Sequence, residues 1–306
     1  MPAANDGTTD RWKDWLLNRR SGGDERLAAQ HSEQLSRVRD KVLRYAAVKD
    51  GETLLDVGCG DGLIAFAALD RVGASGRVIF SDISQPLLDH CRRLAEERGA
   101  GGRCGFVPAS ADDLAAIPDS SVDVVTTRSV LIFLRDKRAA LREFYRVLRP
   151  GGRTSLFEPI NRYSQSFAEE TSFLGFDIAG VEPLAMRVRD VMKQSGQQFA
   201  ATAEDFDEQD LVAWAEEAGF PIVRLVLEIT AAAPRAMPAW RPPSWEAYAN
   251  AAPNPLAPSL AEAMREALSD DEVRRLESHL RPQLEQGKQA TAHAASAYLH
   301  ATKVVL

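Results

Sequence analysis

The sequence predicts an α/β protein in which a doubly wound, parallel sheet is covered by helices on both faces. Two observations carry this prediction. Short apolar runs alternate with amphipathic stretches of helical length, and a glycine-rich turn joins the first apolar run to the next amphipathic one. Alternation of this kind indicates right-handed crossovers between parallel strands.

The predicted elements follow one another along most of the chain. Apolar positions recur every three or four residues from about residue 10 to residue 50, which predicts helix there, and Gly51 ends this segment. The predicted strands are residues 53–57, 77–81, 104–107, 122–127, 153–157, 221–229 and 298–306. The predicted helices between them are residues 63–72, 85–98, 137–148 and 208–218.

Two segments interrupt the alternation and are predicted to be insertions. Residues 159–207 have a mixed, partly helical pattern. Residues 231–297 begin with a stretch that holds seven prolines up to Pro258, which disfavours a long helix or a central strand. This second insertion, with Trp240 and Trp245, is predicted to form a cap over a ligand pocket or a dimer surface.

Composition and charge narrow the classes of partner. The chain of 306 residues has 44 acidic and 37 basic side chains, which leaves a formal net charge of −7. A field of that sign repels phosphate backbones and anionic lipids. The start of the chain lacks a signal-peptide pattern, and no run approaches the roughly 18 apolar residues of a membrane span. We therefore predict a cytoplasmic protein that binds neither nucleic acid nor membrane.

The spacing of cysteine and histidine argues against a metal site. Cys59, Cys91 and Cys104 lack the paired C-x-x-C spacing of zinc ligands. The five histidines form neither an H-E-x-x-H motif nor an i, i+4 pair. The sequence therefore predicts no metal ligands.

The most informative stretch runs from residue 54 to residue 62, Leu-Leu-Asp-Val-Gly-Cys-Gly-Asp-Gly. Glycine lets backbone N–H groups approach a ligand closely, and the helix N-terminus that follows adds a partial positive charge. Leu63 stands where a dinucleotide fingerprint has its third glycine, and no P-loop Gly-Lys-Ser/Thr is present. Asp56 suits a cationic group better than a pyrophosphate. Asp82, at the end of the next predicted strand, suits both hydroxyls of a ribose.

Together these residues resemble class I S-adenosylmethionine-dependent methyltransferases of the small-molecule type. The resemblance implies a Rossmann-like, seven-stranded sheet with an antiparallel last strand, S-adenosyl-L-methionine as cofactor and S-adenosyl-L-homocysteine as product. The resemblance covers the S-adenosylmethionine-binding core at 51–158, the continued core at 208–230 and the last core strand at 298–306. The remaining segments are predicted to be a helical N-terminal lid at 1–50, a cap insertion at 159–207, and a proline-rich and helical insertion at 231–297.

The resemblance also implies the contacts to the cofactor. The three glycines match the loop around its methionine portion, Asp56 the acid that orients its ammonium group, and Asp82 the ribose acid. Ser110 stands where the family often has an adenine-binding Asp, and Asp112 either takes that place or begins a helix. The predicted cofactor-binding residues are Asp56, Gly58, Cys59, Gly60, Gly62, Asp82, Ile83, Ser110, Ala111, Asp112 and Arg128.

Three side chains are candidate catalytic residues. Methyl transfer from a sulfonium requires that the acceptor is held, aligned and shielded from water, and a base only where the acceptor must lose a proton. Arg128, after the fourth strand, could bind a carboxylate, stack on a substrate ring or pair with Glu158. Glu158, after the fifth strand, could act as a base, bind the acceptor or serve as a strand-end partner. His31 is either a lid residue over the cofactor or a packed core histidine.

The predicted function is transfer of a methyl group to an O, N or C atom of a small organic acceptor, with secondary metabolites among the candidates. Residues 160–200 are expected to wall the acceptor pocket, and Trp12, Trp15 and Tyr163 are its candidate aromatic residues. Two alternatives stay open: a protein methyltransferase, and a protein that binds S-adenosylmethionine without transferring its methyl group. A homodimer is a further expectation.

Overall fold

A computed structural model of the chain describes residues 10–165, 172–234 and 241–304, so that Trp240 lies outside the described residues. Seven strands form one sheet in the order β3-β2-β1-β4-β5-β9-β8, and β6 pairs with β7 in a small hairpin. The strands are β1 Thr53–Val57, β2 Arg77–Asp82, β3 Cys104–Pro108, β4 Val122–Arg128, β5 Leu148–Pro159, β6 Ser172–Phe173, β7 Phe176–Asp177, β8 Ile222–Ala232 and β9 Ala292–Thr302.

The strand directions confirm the predicted fold class. Strands β3, β2, β1, β4 and β5 pair in parallel, whereas β9 is antiparallel to both of its neighbours, β5 and β8. The last strand begins at Ala292, six residues before the predicted start at Tyr298. Its first half is Ala-His-Ala-Ala-Ser, which carries little apolar signal, and its pairing with β8 extends the strand there.

The helices cover both faces of the sheet. They are α1 Arg11–Leu17, α2 Glu25–Ala46, α3 Leu63–Arg71, α4 Gln85–Glu97, α5 Lys137–Val147, α6 Asn161–Gln165, α7 Glu182–Ala203, α8 Glu208–Glu217, α9 Trp245–Asn250, α10 Leu260–Ala267 and α11 Asp270–Gln286. Helices α5 and α8 supply the hydrophobic core on one face of the sheet, and α2, α3 and α4 supply the core on the other. Burial of apolar side chains on both faces is what a doubly wound sheet requires.

The two predicted insertions pack together. A third hydrophobic core joins α7 from the first insertion to α9, α10 and α11 from the second, with Phe176 and Trp245 among its buried aromatic residues. Helix α10 begins with a capping box, in which Ser259 and Glu262 bond reciprocally to each other's backbone N–H. We call these helices, with β6 and β7, the inserted helical unit.

Two features differ in detail from the sequence-based expectation. Strand β5 begins at Leu148 rather than at the predicted start, Arg153, so that Pro150-Gly151-Gly152 lies within it, where the pairing of β4 with β5 shifts register. The N-terminal segment consists of two helices rather than one. They are joined by a 3₁₀ turn at Arg19–Ser21, and Gly22 there has a φ of +58°. In the described residues, no helix is both long and apolar enough to cross a membrane.

Candidate cofactor and acceptor site

A cavity of about 240 Å³ lies where β1, β2 and β4 end, and α1 covers it. In an open α/β sheet, ligands bind beyond these carboxyl ends. Nine of the predicted cofactor-binding residues line the cavity: Asp56, Gly58, Cys59, Gly60, Asp82, Ile83, Ser110, Ala111 and Arg128. Gly62 and Asp112 are not among the lining residues. We call the part formed by the first eight of the nine the cofactor wall.

The loop after β1 has a shape that only glycine permits. Gly58 and Gly60 have φ angles of +64° and +55°, which L-residues rarely adopt. A Cβ on Gly58 would lie 2.3 Å from Val130 Cγ2, and one on Gly60 would lie 3.1 Å from Leu16 Cδ1 of α1. Backbone therefore forms this side of the cavity, as a ligand cradle at a helix N-terminus requires.

Gly62 has a packing role instead. It is the N-cap of α3, with a φ of +84°. A Cβ there would lie 2.4 Å from the ring of Phe66. Gly62 therefore determines where α3 begins and does not line the cavity. The sequence pattern alone does not distinguish it from Gly58 and Gly60.

Asp82 stands at the end of β2, with 7% of its surface exposed. One carboxylate oxygen accepts a hydrogen bond from Gly60 N at 2.9 Å, and the other accepts one from Ser84 N at 2.9 Å. Burial raises the pKa of Asp82, while these two bonds oppose the rise. A carboxylate offers about four lone-pair sites, so Asp82 retains acceptor capacity where it lines the cavity. This arrangement fits the predicted contact to ribose hydroxyls.

Asp56 lies deeper, in β1. Its carboxylate accepts hydrogen bonds from Thr126 Oγ1 of β4 at 2.8 Å and from Ala65 N of α3 at 3.2 Å. Burial raises the pKa of Asp56 to about 7, despite these two bonds. Asp56 thus joins two strands and a helix, and it also contributes to the cavity lining where the ammonium group is predicted to bind.

Ser110 and Asp112, on the predicted adenine side, and Cys59 each take part in a hydrogen bond that determines their role. Ser110 lines the cavity and donates a hydrogen bond to Asp112, which lies behind it. Asp112 is therefore placed to orient Ser110 rather than to contact a ligand directly. A hydrogen bond with Cys91 and burial raise the pKa of the Cys59 thiol, which keeps it protonated, in agreement with its interpretation as a small residue between glycines.

The opposite side of the cavity, which we call the acceptor wall, is aromatic. Trp12 of α1 meets Phe133 edge-on at a centroid distance of 4.8 Å, and Phe133 lies 5.2 Å from Phe199 of α7. All three line the cavity, together with Arg128 and residues 253–254 of the inserted helical unit. Trp12 was predicted here, and Phe199 falls within the predicted wall at 160–200. Tyr163 packs instead against the core of the sheet.

Arg128 faces this wall without a partner. Within the described residues, its guanidinium makes no ion pair and no hydrogen bond, so the predicted pairing with Glu158 does not form. Burial lowers the pKa of Arg128, and the charges of Asp61 and Asp56 oppose that change. Because an arginine side chain stays protonated in proteins, the cavity holds a positive charge that acts on the carboxylates of Asp56 and Asp61 without a direct ion pair to either.

Glu158 is fully buried and does not line the cavity. One of its oxygens accepts from Val130 N at 2.9 Å and from Leu131 N at 3.0 Å, and the other accepts from Ile132 N at 3.4 Å. Burial raises the pKa of Glu158 to about 7, and the three hydrogen bonds oppose the rise. The structure therefore places Glu158 as a strand-end partner that holds the segment after Arg128, not as a base at the site.

His31 is not brought to this cavity either. Its Nδ1 lies 3.1 Å from Ser21 Oγ, and burial lowers its pKa. The cover over the cofactor wall comes from α1 through Trp12, Trp15 and Leu16, rather than from the part of α2 around His31. No group of three side chains suited to a metal ion occurs among the described residues.

Several lining residues were not singled out in the sequence. Phe133 follows β4 closely and could have been found, because residues after that strand were expected at the site. Phe199, Pro253 and Asn254 lie far along the chain in stretches without a motif. Only the packing of the inserted helical unit brings them to the cavity.

Sequence comparisons identify known proteins to which this chain is similar. The sequence model of the ubiE/COQ5 methyltransferase family matches residues 30–232. A ubiquinone/menaquinone biosynthesis C-methyltransferase UbiE from Enterobacter sp. strain 638 is 31% identical over 178 residues, which cover 57% of this chain and 68% of that protein. Nocamycin O-methyltransferase from Saccharothrix syringae is 37% identical over 123 residues, 40% of this chain and 43% of that one. The chain thus spans about half to two thirds of these relatives' length.

Solved structures agree with the fold. The YcgJ protein from Bacillus subtilis superposes with a TM-score of 0.52 at 15% identity, over 88% of this chain and 99% of that chain. Phosphoethanolamine N-methyltransferase 2 from Haemonchus contortus, solved with S-adenosylhomocysteine, gives a TM-score of 0.52 at 16% identity, over 96% of this chain and 56% of that chain. With the family match over two thirds of its length, the chain belongs to the ubiE/COQ5 family of S-adenosylmethionine-dependent methyltransferases.

Proposed function

We propose that the protein methylates a ring carbon of a small aromatic acceptor that carries an acidic hydroxyl group, a quinol-type molecule. The observation that carries the proposal is the unpaired guanidinium of Arg128 beside the aromatic wall of Trp12, Phe133 and Phe199. The UbiE relatives are C-methyltransferases of ubiquinone and menaquinone biosynthesis, which supports the same class of acceptor.

The cofactor wall fits S-adenosylmethionine. The backbone of Gly58 and Gly60 can approach its methionine portion, Asp82 can accept from its ribose hydroxyls, and Asp56 lies toward its ammonium group. When bound, S-adenosylmethionine supplies a methyl group on a positively charged sulfur that is an excellent leaving group. The residues of the chain then have only to hold, ionise and align the acceptor.

Arg128 would ionise the acceptor. A guanidinium stabilises the charge of a neighbouring phenolate and so lowers the pKa of the bound hydroxyl, especially in a cavity shielded from water. The phenolate donates electron density to the ring carbons beside and opposite it, which makes them nucleophilic. The acids that line the cavity are Asp56, Asp61 and Asp82, and no histidine lines it within the described residues. These lining residues therefore suit an acceptor whose hydroxyl group ionises with the help of Arg128.

The aromatic wall would align the acceptor. Phe133 is fixed between Trp12 and Phe199, so a planar ring can stack or meet an edge there without losing much side-chain freedom. Helix α1 closes the cavity above the glycine loop and excludes water. The hydroxyl proton passes to solvent as the acceptor binds, before the cavity closes. The carbon–sulfur bond then breaks as the new carbon–carbon bond forms, and the resulting dienone exchanges its ring proton with solvent to become the phenol once the product has left the cavity.

Methylation of the hydroxyl oxygen is the second candidate. The same phenolate would be the nucleophile, and the nocamycin relative is an O-methyltransferase. The orientation of the ring against the aromatic wall would decide between oxygen and carbon. Protein methylation is less well supported, because a cavity of about 240 Å³ under α1 suits a discrete molecule. The predicted homodimer and cytoplasmic location stay predictions.

The test uses S-adenosylmethionine with reduced naphthohydroquinone as acceptor, measuring S-adenosylhomocysteine release and the position of the new methyl group by NMR. We expect a C-methylated product. Arg128→Met should lower kcat/KM for the acceptor by about 100- to 1,000-fold while leaving the Kd of S-adenosylmethionine nearly unchanged.

Arg138→Met is the matched control, because Arg138 forms an exposed ion pair with Glu217 far from the cavity. Unchanged turnover in Arg128→Met contradicts the proposal. A large loss of cofactor affinity in that variant would instead assign Arg128 to the cofactor.

A further inference from the structure

A second cavity, of about 390 Å³, adjoins the first. Trp15 and Pro253 line both cavities, so the two cavities adjoin at these residues. Trp15 is held in place because its Nε1 donates to Ala252 O at 2.8 Å. The second cavity lies between the N-terminal helices and the inserted helical unit, on the far side of Trp15 from the cofactor wall.

Its polar side chains are few: Arg20, His31, Gln34 and Tyr248. Arg20 lies 3.7 Å from Asp61, and His31 lies 3.1 Å from Ser21 Oγ. Within the described residues, neither the hydroxyl of Tyr248 nor the side-chain amide of Gln34 has a hydrogen-bond partner. These two groups can therefore bond a ligand that carries an oxygen function.

The rest of the lining is apolar. Leu35 of α2, Leu174 of the β6–β7 hairpin, Met192 of α7 and Leu260 of α10 surround the polar groups. A mostly apolar cavity with a few convergent polar side chains is the usual form of a small-molecule site. A hydroxylated aromatic ring or a short apolar chain with a hydroxyl would satisfy both kinds of lining.

Much of this cavity lies outside the part of the chain that matches the family. Trp15 and Arg20 precede the matched span of residues 30–232, and Tyr248 and Leu260 follow it. The cavity is therefore built in large part from segments outside the span that the family model matches.

We propose that the second cavity binds the distal half of the acceptor, so that the substrate is an elongated, two-part aromatic molecule with a hydroxyl at each end. This inference rests on the proposed function. The ring to be methylated lies at Arg128, and the distal part passes Trp15 and places its hydroxyl among Tyr248, Gln34 and His31. A separate ligand would have to share Trp15 and Pro253 with the acceptor, whereas one molecule spans both cavities.

The experiment measures binding to the protein saturated with S-adenosylhomocysteine, by calorimetry, for phenol, para-phenylphenol and para,para′-biphenol. Wild-type protein should bind para,para′-biphenol at least tenfold more tightly than phenol. The second ring and the second hydroxyl should each contribute to that preference. Wild-type protein that binds the three compounds equally, or binds none of them, contradicts the proposal.

Two variants locate the effect. Gln34→Trp fills the second cavity and should reduce the tenfold preference to near unity, whereas Ser32→Trp, on the exposed side of the same helix, should keep it. Tyr248→Phe keeps the ring and should remove only the step between para-phenylphenol and para,para′-biphenol. A preference that survives both Gln34→Trp and Tyr248→Phe places the distal ring elsewhere and overturns the proposal.

The outcome separates this inference from the proposed function. If para,para′-biphenol binds with the expected preference but is never methylated, the reaction assigned to the first cavity is wrong while the second cavity remains a binding site. If naphthohydroquinone is methylated but the three phenols show no preference, the reaction stands and the elongated substrate is wrong.

Discussion

The two walls of the cavity are built in different ways. The cofactor wall consists of loops that directly follow β1, β2 and β3, and its shape is set by backbone hydrogen bonds and by glycine φ angles. The acceptor wall consists of side chains from α1, the segment after β4, α7 and the inserted helical unit. The first is fixed by local geometry, and the second by packing between distant segments. Cofactor and acceptor binding should therefore be separable by mutation.

The largest effect is expected at the glycine loop. Gly60→Val should abolish measurable binding of S-adenosylmethionine, because the new side chain would occupy the cradle and press on Leu16. Gly151→Val is the control: Gly151 also has a positive φ, +83°, but its surroundings are open and lie far from the cavity. If calorimetry shows that both variants bind the cofactor with wild-type affinity, the distinction between the two walls is wrong.

A smaller effect on the same wall is expected at Asp82. Loss of charge-assisted hydrogen bonds to the ribose, worth about 1.5–3 kcal/mol, should weaken S-adenosylmethionine binding in Asp82→Ala roughly ten- to a hundredfold. Asp112→Ala, which removes a carboxylate behind the wall, should weaken it much less. Equal losses in the two variants would show that Asp82 does not contact the cofactor.

On the acceptor wall, Phe199→Ala gives the complementary test. It removes one member of the aromatic set and should raise the KM for naphthohydroquinone by up to about tenfold. The Kd of S-adenosylmethionine should stay within experimental error, because α7 contributes nothing to the cofactor wall. A variant in which both constants change together would mean that the walls are coupled.

The smallest expected effect is the pH dependence of the affinity for S-adenosylmethionine, which tests the role of Asp56. Since burial raises the pKa of Asp56 to about 7, its carboxyl is mostly neutral below that pH and ionised above it. Only the ionised form attracts an ammonium group. The affinity for S-adenosylmethionine should therefore rise several-fold between pH 6 and pH 8, and Asp56→Asn should flatten the profile. Asp112→Asn should retain the wild-type slope, and a flat wild-type profile would exclude the ammonium contact.

The same contrast explains how much could be predicted from the sequence. The loop at Gly58 and Gly60 and the acid at Asp82 were predictable because strand, turn and helix are contiguous, so that a local pattern determines their positions. The parallel part of the sheet followed from the alternation of apolar and amphipathic segments, whereas the antiparallel last strand followed from the family resemblance. Of the cofactor residues, Gly62 and Asp112 did not reach the cavity lining, since a spacing pattern does not distinguish a ligand cradle from a helix cap.

The acceptor side was less predictable. An acid at the end of β5 has the same appearance in a sequence whether it faces a substrate or backbone. The three N–H groups that bind Glu158 come from residues 26 to 28 positions earlier. Phe199 and Pro253 carry no motif, and their place depends on the packing of two insertions that the sequence presents as separate.

The cover over the site has a consequence for the order of events during synthesis. Trp15 bonds to Ala252 across 237 positions, and Arg19 bonds to Glu262 and to the N–H of Ala252. A chain that emerges from the ribosome N-terminus first therefore has β1 to β5 available long before the N-terminal segment meets its partners at Ala252 and Glu262. Closing so long a loop also carries an entropic cost. We expect the nascent enzyme to have an open cofactor site, which S-adenosylmethionine can enter before the cover is complete.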